Sequence, residues 1–93
     1  MIIGVLTVDI GIPFNRSLKS KRKVIKSLKD KIKTRFNVAI SETDNHNLWQ
    51  RATFSIATIG TDKKIVNSIL SKVDNFIKDQ LKLDILDSKI EIL

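Results

Sequence analysis

The sequence has no cysteine and only one histidine, so it lacks the residues on which disulfides and most zinc sites depend. We therefore expect no disulfide, no metal and no cofactor. Its longest apolar run, residues 2–12, is interrupted by glycine and aspartate and is too short to cross a bilayer. No basic segment precedes this run, and no small-residue cleavage site follows it, as a secretory signal would require. We expect a soluble, cytoplasmic protein with no membrane partner.

Acidic residues are also few, since ten aspartates and glutamates face 17 lysines and arginines and leave a net charge of +7. Such a balance favours polyanionic partners, above all nucleic acid. The alternative is that a lysine-rich surface merely aids solubility. A length of 93 residues with 42% hydrophobic residues is enough for one packed domain, which we place at residues 1–93.

A basic segment from Arg16 to Arg35 has the most distinctive chemistry, because it holds ten of the 17 lysines and arginines. Its apolar residues recur at three-, four- and seven-residue steps, which predicts a helix over about residues 18–35 with one buried face. These apolar residues are Leu18, Ile25, Leu28, Ile32 and Phe36. Ser17 is a suitable N-cap for this helix.

Six cations fall on one side of the predicted helix, within about 120° of arc. We call this side the basic flank; it consists of Lys19, Arg22, Lys23, Lys26, Lys29 and Lys33. Like charges three or four residues apart repel each other by about 0.2–0.5 kcal/mol per pair. An external anion would relieve that repulsion, so the pattern favours a polyanion bound along the helix.

The remaining pattern predicts four strands and a second helix. Alternating apolar residues predict strands over residues 2–12, 36–41, 48–59 and within 83–93, with a polar turn at 44–47 and a helix over 63–79 capped by Thr61 or Asp62. This order predicts an α+β fold, the ferredoxin-like βαββαβ sandwich, with a four-stranded antiparallel sheet and two helices on one face. The first and third strands would be central.

The open face of this sheet would show small and semi-apolar residues, namely Ile3, Val5, Thr7, Thr53, Ser55 and Ala57. RNA-recognition motifs stack bases on aromatic residues at such positions. This sequence has no aromatic residue at those positions, which excludes that mode of RNA binding. Small side chains permit close packing between two sheets instead, so the alternative function is a homo-oligomeric interaction module, such as a homodimer through the open face, whose basic helix would bind an acidic protein instead of RNA.

Several single residues are candidates for specific roles. Trp49, beside Arg51, could stack a nucleobase or cover the edge of the core, and the sequence leaves both interpretations open. His46 has no partner at metal-ligand spacing, which favours a solvated turn residue. Asp44 and Glu42 could form a carboxylate pair for acid–base chemistry, but turn capping by Asp44 is the simpler interpretation.

Arg16 and the main-chain amides near Ser17 could hold a phosphate, as a similar loop does in acylphosphatases. The glycine-rich cradle of those enzymes is missing, because the sequence reads Gly11-Ile-Pro-Phe-Asn-Arg16. The chain also offers no convincing general base. We therefore expect no enzymatic activity and no catalytic residue.

Two motifs, Ser17-Leu-Lys-Ser-Lys-Arg22 and Leu48-Trp-Gln-Arg-Ala-Thr53, resemble the small bacterial YlxP-like proteins of domain-of-unknown-function family 503. The resemblance covers essentially the whole chain, with Ile3–Val8 and Phe36–Val38 as further matches. It implies a ferredoxin-like fold and an accessory role in binding RNA or the ribosome, and it implies no enzymatic activity. It gives the motif residues no settled role.

Together these observations predict an accessory factor that binds RNA, in particular ribosomal RNA or the small ribosomal subunit, through phosphate contacts of the first helix. The expected contact residues are Arg16, Lys19, Lys21, Arg22, Lys23, Lys26, Lys29, Lys33 and Arg51, with Trp49 as the candidate for stacking.

Overall fold

The predicted order of elements is confirmed by the computed structural model, which describes residues 1–80 and 83–93. The elements are β1 (Ile2–Gly11), α1 (Leu18–Arg35), β2 (Ala39–Asp44), β3 (Arg51–Gly60), α2 (Lys63–Lys78) and β4 (Asp84–Ile92). The strands form one antiparallel sheet in the order β2-β3-β1-β4. The first and third strands are therefore central, as expected for a ferredoxin-like sandwich.

The core lies between one face of the sheet and the two helices. Alternation along β1 sends Leu6, Val8 and Ile10 into the core, where they are fully buried. The helices cover them with apolar residues at helical spacing, namely Ile25, Leu28 and Ile32 from α1 and Val66, Leu70, Val73 and Ile77 from α2. The alternate residues of β1 and β3 point away from the helices, and there Val5 pairs with Ala57 and Thr7 with Ser55 on the open face, as predicted.

Gly4 allows α2 to approach β1 closely. A Cβ atom at this position would lie 2.5 Å from Cγ1 of Val66 and 2.9 Å from Cδ1 of Leu70, closer than carbon atoms can pack. The second helix therefore rests directly on the backbone of a central strand.

The helix ends agree with the sequence. The Ser17 side chain accepts a hydrogen bond from the main-chain amide of Ser20 at 3.0 Å, and Asp62 caps α2 by accepting from the amide of Ile65 at 2.9 Å. At the other end of α1, the Phe36 ring meets Phe76 edge-on with centroids 6.0 Å apart, and the Arg35 guanidinium lies 4.9 Å from the Phe76 centroid. These contacts join the two helices.

The strand boundaries around the β2–β3 hairpin differ from the prediction. Phe36 ends α1 instead of beginning β2, because its amide still donates to the carbonyl oxygen of Ile32 at 2.9 Å. Residues 48–50 precede β3 instead of belonging to it. Their main chain bonds to the β1–α1 connection, since the amide of Ile12 donates to the carbonyl oxygen of Gln50 at 2.8 Å. Local alternation in the sequence does not reveal that competing partner.

Neither helix in the described part of the chain combines the length and the apolar character needed to cross a bilayer.

Candidate nucleic-acid interface

The exposed cations of α1 have no carboxylate partner among the described residues. Four ion pairs form within residues 1–80 and 83–93, and their cations are Lys21, Arg51, Lys78 and Lys89. Five members of the basic flank are exposed and one, Lys29, is partly buried. Arg16, just before α1, is exposed as well. The flank therefore presents positive charge that the described carboxylates leave uncompensated.

A groove of about 370 Å³ runs between α1 and β2 and collects part of the basic flank. Its cationic lining consists of Arg22, Lys26, Lys29 and Lys33; Ile25, Asp30 and Glu42 complete it. We call this the α1–β2 groove. Lys23 lies apart from it and lines a second groove on the other side of α1, with Val24 and Leu28. The flank predicted from the helical period is thus divided between two sides of the helix.

The prediction that Lys21 contacts phosphate is wrong. This side chain is only 1% exposed, and its ammonium lies 3.0 Å from Oε2 of Glu42 on β2. It also donates to the carbonyl oxygens of Asn45 and His46, at 2.7 and 3.3 Å. Lys21 therefore fixes the β2–β3 turn against α1 and is not available to a ligand.

The position of Lys21 around the helix indicates that it lies on the buried face. At 100° per residue, its direction lies about 20° from that of Ile32, in the middle of the apolar face and outside the basic flank. A lysine in that direction points toward the core, and an ammonium that is buried there requires acceptors. Which acceptors it finds depends on how the hairpin folds back, and that is a tertiary contact.

Two residues that the sequence did not single out as site residues hold the same end of the molecule together. Asn15 is 1% exposed, and its Nδ2 donates to the carbonyl oxygens of Trp49 and Ser17 at 2.5 and 2.9 Å. Gln50 donates from Nε2 to the carbonyl oxygens of Pro13 and Asn15 at 3.3 and 3.0 Å. Residues of the two motifs at 17–22 and 48–53 are therefore joined by hydrogen bonds that connect the β1–α1 connection to the start of β3.

Arg51 is a second predicted contact residue that has an internal partner. Its Nε donates to both carboxylate oxygens of Asp9, at 3.0 and 3.1 Å, and its Nη2 donates to Oδ2. These hydrogen bonds hold the pKa of Asp9 below its ordinary value and raise the pKa of Arg51. Arg51 is still about half exposed, so it is fixed in direction without being buried.

The other candidates lie around the β2–β3 turn. Trp49 is exposed and lines a shallow cavity instead of the core edge. His46 is exposed in the turn, with Nε2 3.0 Å from the carbonyl oxygen of Glu42. Asp44 caps the turn by accepting from the amide of Asn45 at 2.7 Å, as predicted. A bulge aligns Glu42 with Phe54 and Asp44 with Thr53, on opposite faces, so the two carboxylates do not form an acid–base pair.

The side chains that bind metals do not gather in groups of three anywhere in residues 1–80 and 83–93. The chemistry that the exposed side chains of α1 offer is charge: ammonium and guanidinium groups on a helix next to the edge strand of a sheet.

The fold and this surface define a small ferredoxin-like α+β protein with a basic first helix. The chain belongs to the family described as protein of unknown function (DUF503), which matches residues 3–90. It is also 36% identical over 64 residues to the uncharacterized protein YlxP of Bacillus subtilis (strain 168), an alignment that covers 64% of this chain and 70% of the relative. These comparisons confirm the family that the sequence motifs indicated.

Proposed function

We propose that this protein is a cytoplasmic accessory factor that binds RNA, in particular ribosomal RNA, by placing a phosphate backbone in the α1–β2 groove. The observation that supports this most strongly is the combination of four groove-lining cations with the absence of described ion-pair partners for them. Arginine and lysine on one face of a rigid helix match the regular charge of a nucleic-acid backbone.

The acidic residues of the groove do not cancel this charge. Glu42 is already engaged by the buried Lys21, so its carboxylate compensates a cation outside the groove lining. Asp30 is the remaining carboxylate of the lining, against four cations. Arg22 and Lys26, and Lys29 and Lys33, are spaced four residues apart and repel each other. A bound polyanion removes that repulsion, which the folded chain otherwise tolerates.

Phosphate contacts make affinity dependent on salt. If the four groove cations and Lys19 each neutralise one phosphate, the logarithm of the association constant falls with the logarithm of salt concentration at a slope near −3.5 for single-stranded RNA. Base sequence has little effect in such binding, because phosphates carry no sequence information.

The decisive variant changes Arg22, Lys26, Lys29 and Lys33 to glutamine. Loss of four phosphate contacts lowers affinity for single-stranded RNA by about two orders of magnitude at 0.15 M salt, and the slope of log affinity against log salt falls to about −0.7, the contribution of Lys19 alone. The matched control changes Lys31, Lys63, Lys64 and Lys72 to glutamine, which removes the same charge from exposed positions outside the groove. Equal losses of affinity in the two variants would refute the groove as the binding site.

A second candidate function, self-association through the open sheet face, also has a specific observation in its favour. Ile59 is 56% exposed there, and it lines a cavity of about 400 Å³ with Ile3, Ala39 and Ala57. Sedimentation velocity of the wild-type protein and of Val5→Arg tests this function. Dimers that Val5→Arg dissociates would support it, and a monomer at all concentrations would exclude it. The two functions use opposite sides of the sheet and are compatible.

A further inference from the structure

The Trp49 side chain is exposed to solvent, although its backbone is hydrogen-bonded to a distant segment of the chain. The side chain is 53% exposed. Its carbonyl oxygen accepts from the buried Asn15 at 2.5 Å, and the carbonyl oxygen of the next residue, Gln50, accepts from the amide of Ile12 at 2.8 Å. The backbone that carries the indole is therefore held by hydrogen bonds to the β1–α1 connection. A large aromatic ring held outward on a fixed backbone is typical of a contact surface for a ligand.

The surroundings of this ring suit a planar, polar ligand. Trp49 lines a shallow, open depression with Leu48, Gln50 and Arg51, which suits stacking of a flat ring better than enclosure of a whole ligand. Asp9 holds the Arg51 guanidinium through Nε and Nη2, so that its plane is fixed. Aromatic rings and guanidinium planes are the two groups on which proteins stack unpaired nucleobases.

The depression also lies next to the proposed phosphate site. One nitrogen, Nδ2 of Asn15, bonds the carbonyl oxygens of both Trp49 and Ser17, so the depression adjoins the first turn of α1. Arg16 and Lys19, both exposed, flank that turn. The β2–β3 turn meets α1 at Lys21, one residue from the groove cation Arg22. The N-terminal part of α1 and the β2–β3 turn therefore connect the groove to the segment that holds Trp49.

We infer that Leu48, Trp49 and Arg51 form a nucleobase site, which stacks an unpaired base of the same RNA whose backbone occupies the α1–β2 groove. This inference rests on the proposed function and extends it: the ligand is single-stranded or looped RNA and not a continuous duplex. RNA fits better than a protein partner, because Arg51 in the lining and the nearby exposed cations Arg16 and Lys19 suit a polyanion. Protein hot spots have a wider apolar patch than Leu48 and Trp49 provide.

The test uses Trp49 as its own probe, since it is the only tryptophan in the chain. Three polyanions are titrated: single-stranded oligoadenylate, an RNA duplex of equal length, and inorganic polyphosphate, which has charge but no base. We expect oligoadenylate to quench Trp49 fluorescence. Polyphosphate binds, competes for the groove and leaves the fluorescence unchanged, and the duplex quenches little.

The matching variants are Trp49→Ala, Trp49→Phe and, as a control at an equally exposed apolar residue on α2, Ile65→Ala. Anisotropy of labelled oligoadenylate should show an affinity loss between about 5- and 150-fold for Trp49→Ala, while Trp49→Phe retains most of the affinity and Ile65→Ala all of it. Affinity for polyphosphate should be the same in all four proteins. Unfolding midpoints confirm that each variant is folded.

Four results would overturn the inference, and they differ in what they say of the groove. If Trp49→Ala leaves the affinity for oligoadenylate unchanged, or if polyphosphate quenches as strongly as oligoadenylate, there is no base site, although RNA binding in the groove still stands. If no polyanion binds, both proposals fail. If Trp49 fluorescence instead shifts with protein concentration in the absence of RNA, in step with dimer formation, the ring serves a protein–protein contact.

Discussion

Replacing the buried Lys21 by methionine tests whether this residue stabilises the fold or binds a ligand. Methionine is similar in length and fills the same space, but it removes the charge from an ammonium site that lies 3.0 Å from Glu42 and 2.7 Å from the carbonyl oxygen of Asn45. Breaking a buried ion pair from one side costs about 3–5 kcal/mol. Because the Glu42 side chain as a whole is still 18% exposed, its charge is only partly removed from water, and the lower end of that range applies.

We therefore expect Lys21→Met to lower the free energy of unfolding by about 3 kcal/mol, which corresponds to a loss of about 12–24 °C in the melting temperature of a domain of this size. Urea titrations followed by circular dichroism measure the change. Lys26→Met is the matched control: it removes the same charge from an exposed site on the same helix and should change stability by less than about 0.5 kcal/mol.

A double-mutant cycle shows whether the cost arises from the pair. Glu42→Leu alone leaves the ammonium of Lys21 with carbonyl partners only, whereas the double variant with Lys21→Met removes both charges. The two effects should be non-additive by about 1–3 kcal/mol. Additive effects, or a Lys21→Met protein as stable as the wild type, would refute our account of Lys21.

The same two variants should have the reverse order of effects on RNA binding: Lys26→Met should weaken it, and Lys21→Met should not. Lys26→Met removes one groove contact and should weaken RNA binding about fourfold at 0.15 M salt. The slope of the logarithm of the association constant against the logarithm of salt concentration should become less steep by about 0.7. Lys21→Met, measured at a temperature where it is folded, should keep the wild-type slope. A reduced slope in Lys21→Met would mean that this ammonium reaches phosphate after all.

Three further predictions concern other parts of the fold. Gly4→Ala should destabilise the protein by about 1–3 kcal/mol in urea titrations, because the added methyl group meets Val66 and Leu70; Gly11→Ala, whose Cβ would have ordinary contacts of 3.5 Å or more, should cost much less. Ser17→Ala should lower stability by about 1 kcal/mol through loss of the N-cap, and Ser17→Gly by only a few tenths. In Arg51→Ala, the pKa of Asp9 should rise toward its ordinary value in carboxyl NMR titrations. Since the native pKa of Asp9 is depressed, this pair stabilises the wild type above the unfolded-state pKa, and its contribution fades as pH falls through the folded pKa; an unchanged Asp9 pKa in the variant would refute the coupling.

Much of the architecture follows from local patterns in the sequence. The step of three and four between Ile25, Leu28 and Ile32 defines the buried face of α1, and Ser17 marks where the helix begins. Alternation along β1 identifies which residues enter the core. These features could be predicted because they depend on the geometry of one helix or one strand at a time.

The candidate site was predictable only in part. Net charge and the crowding of cations between Arg16 and Arg35 pointed to α1, but the division of those cations between two grooves depends on where β2 lies. Trp49 is exposed because the carbonyl oxygens at 49 and 50 bond to residues more than 30 positions earlier in the chain. No periodicity in residues 48–59 contains that information, which is why the third strand was expected to begin too early.

The order of elements, the buried face of each element and the concentration of positive charge on the first helix can be derived from the sequence, because spacing along one segment is enough to specify them. Three features depend on long-range contacts instead: Lys21 is bound by the β2–β3 turn, Arg51 is held by Asp9, and four cations line one groove. Each of these depends on which groups from distant segments come within hydrogen-bonding distance, and the charge of an ammonium or a guanidinium stays uncompensated only where folding has not supplied an acceptor.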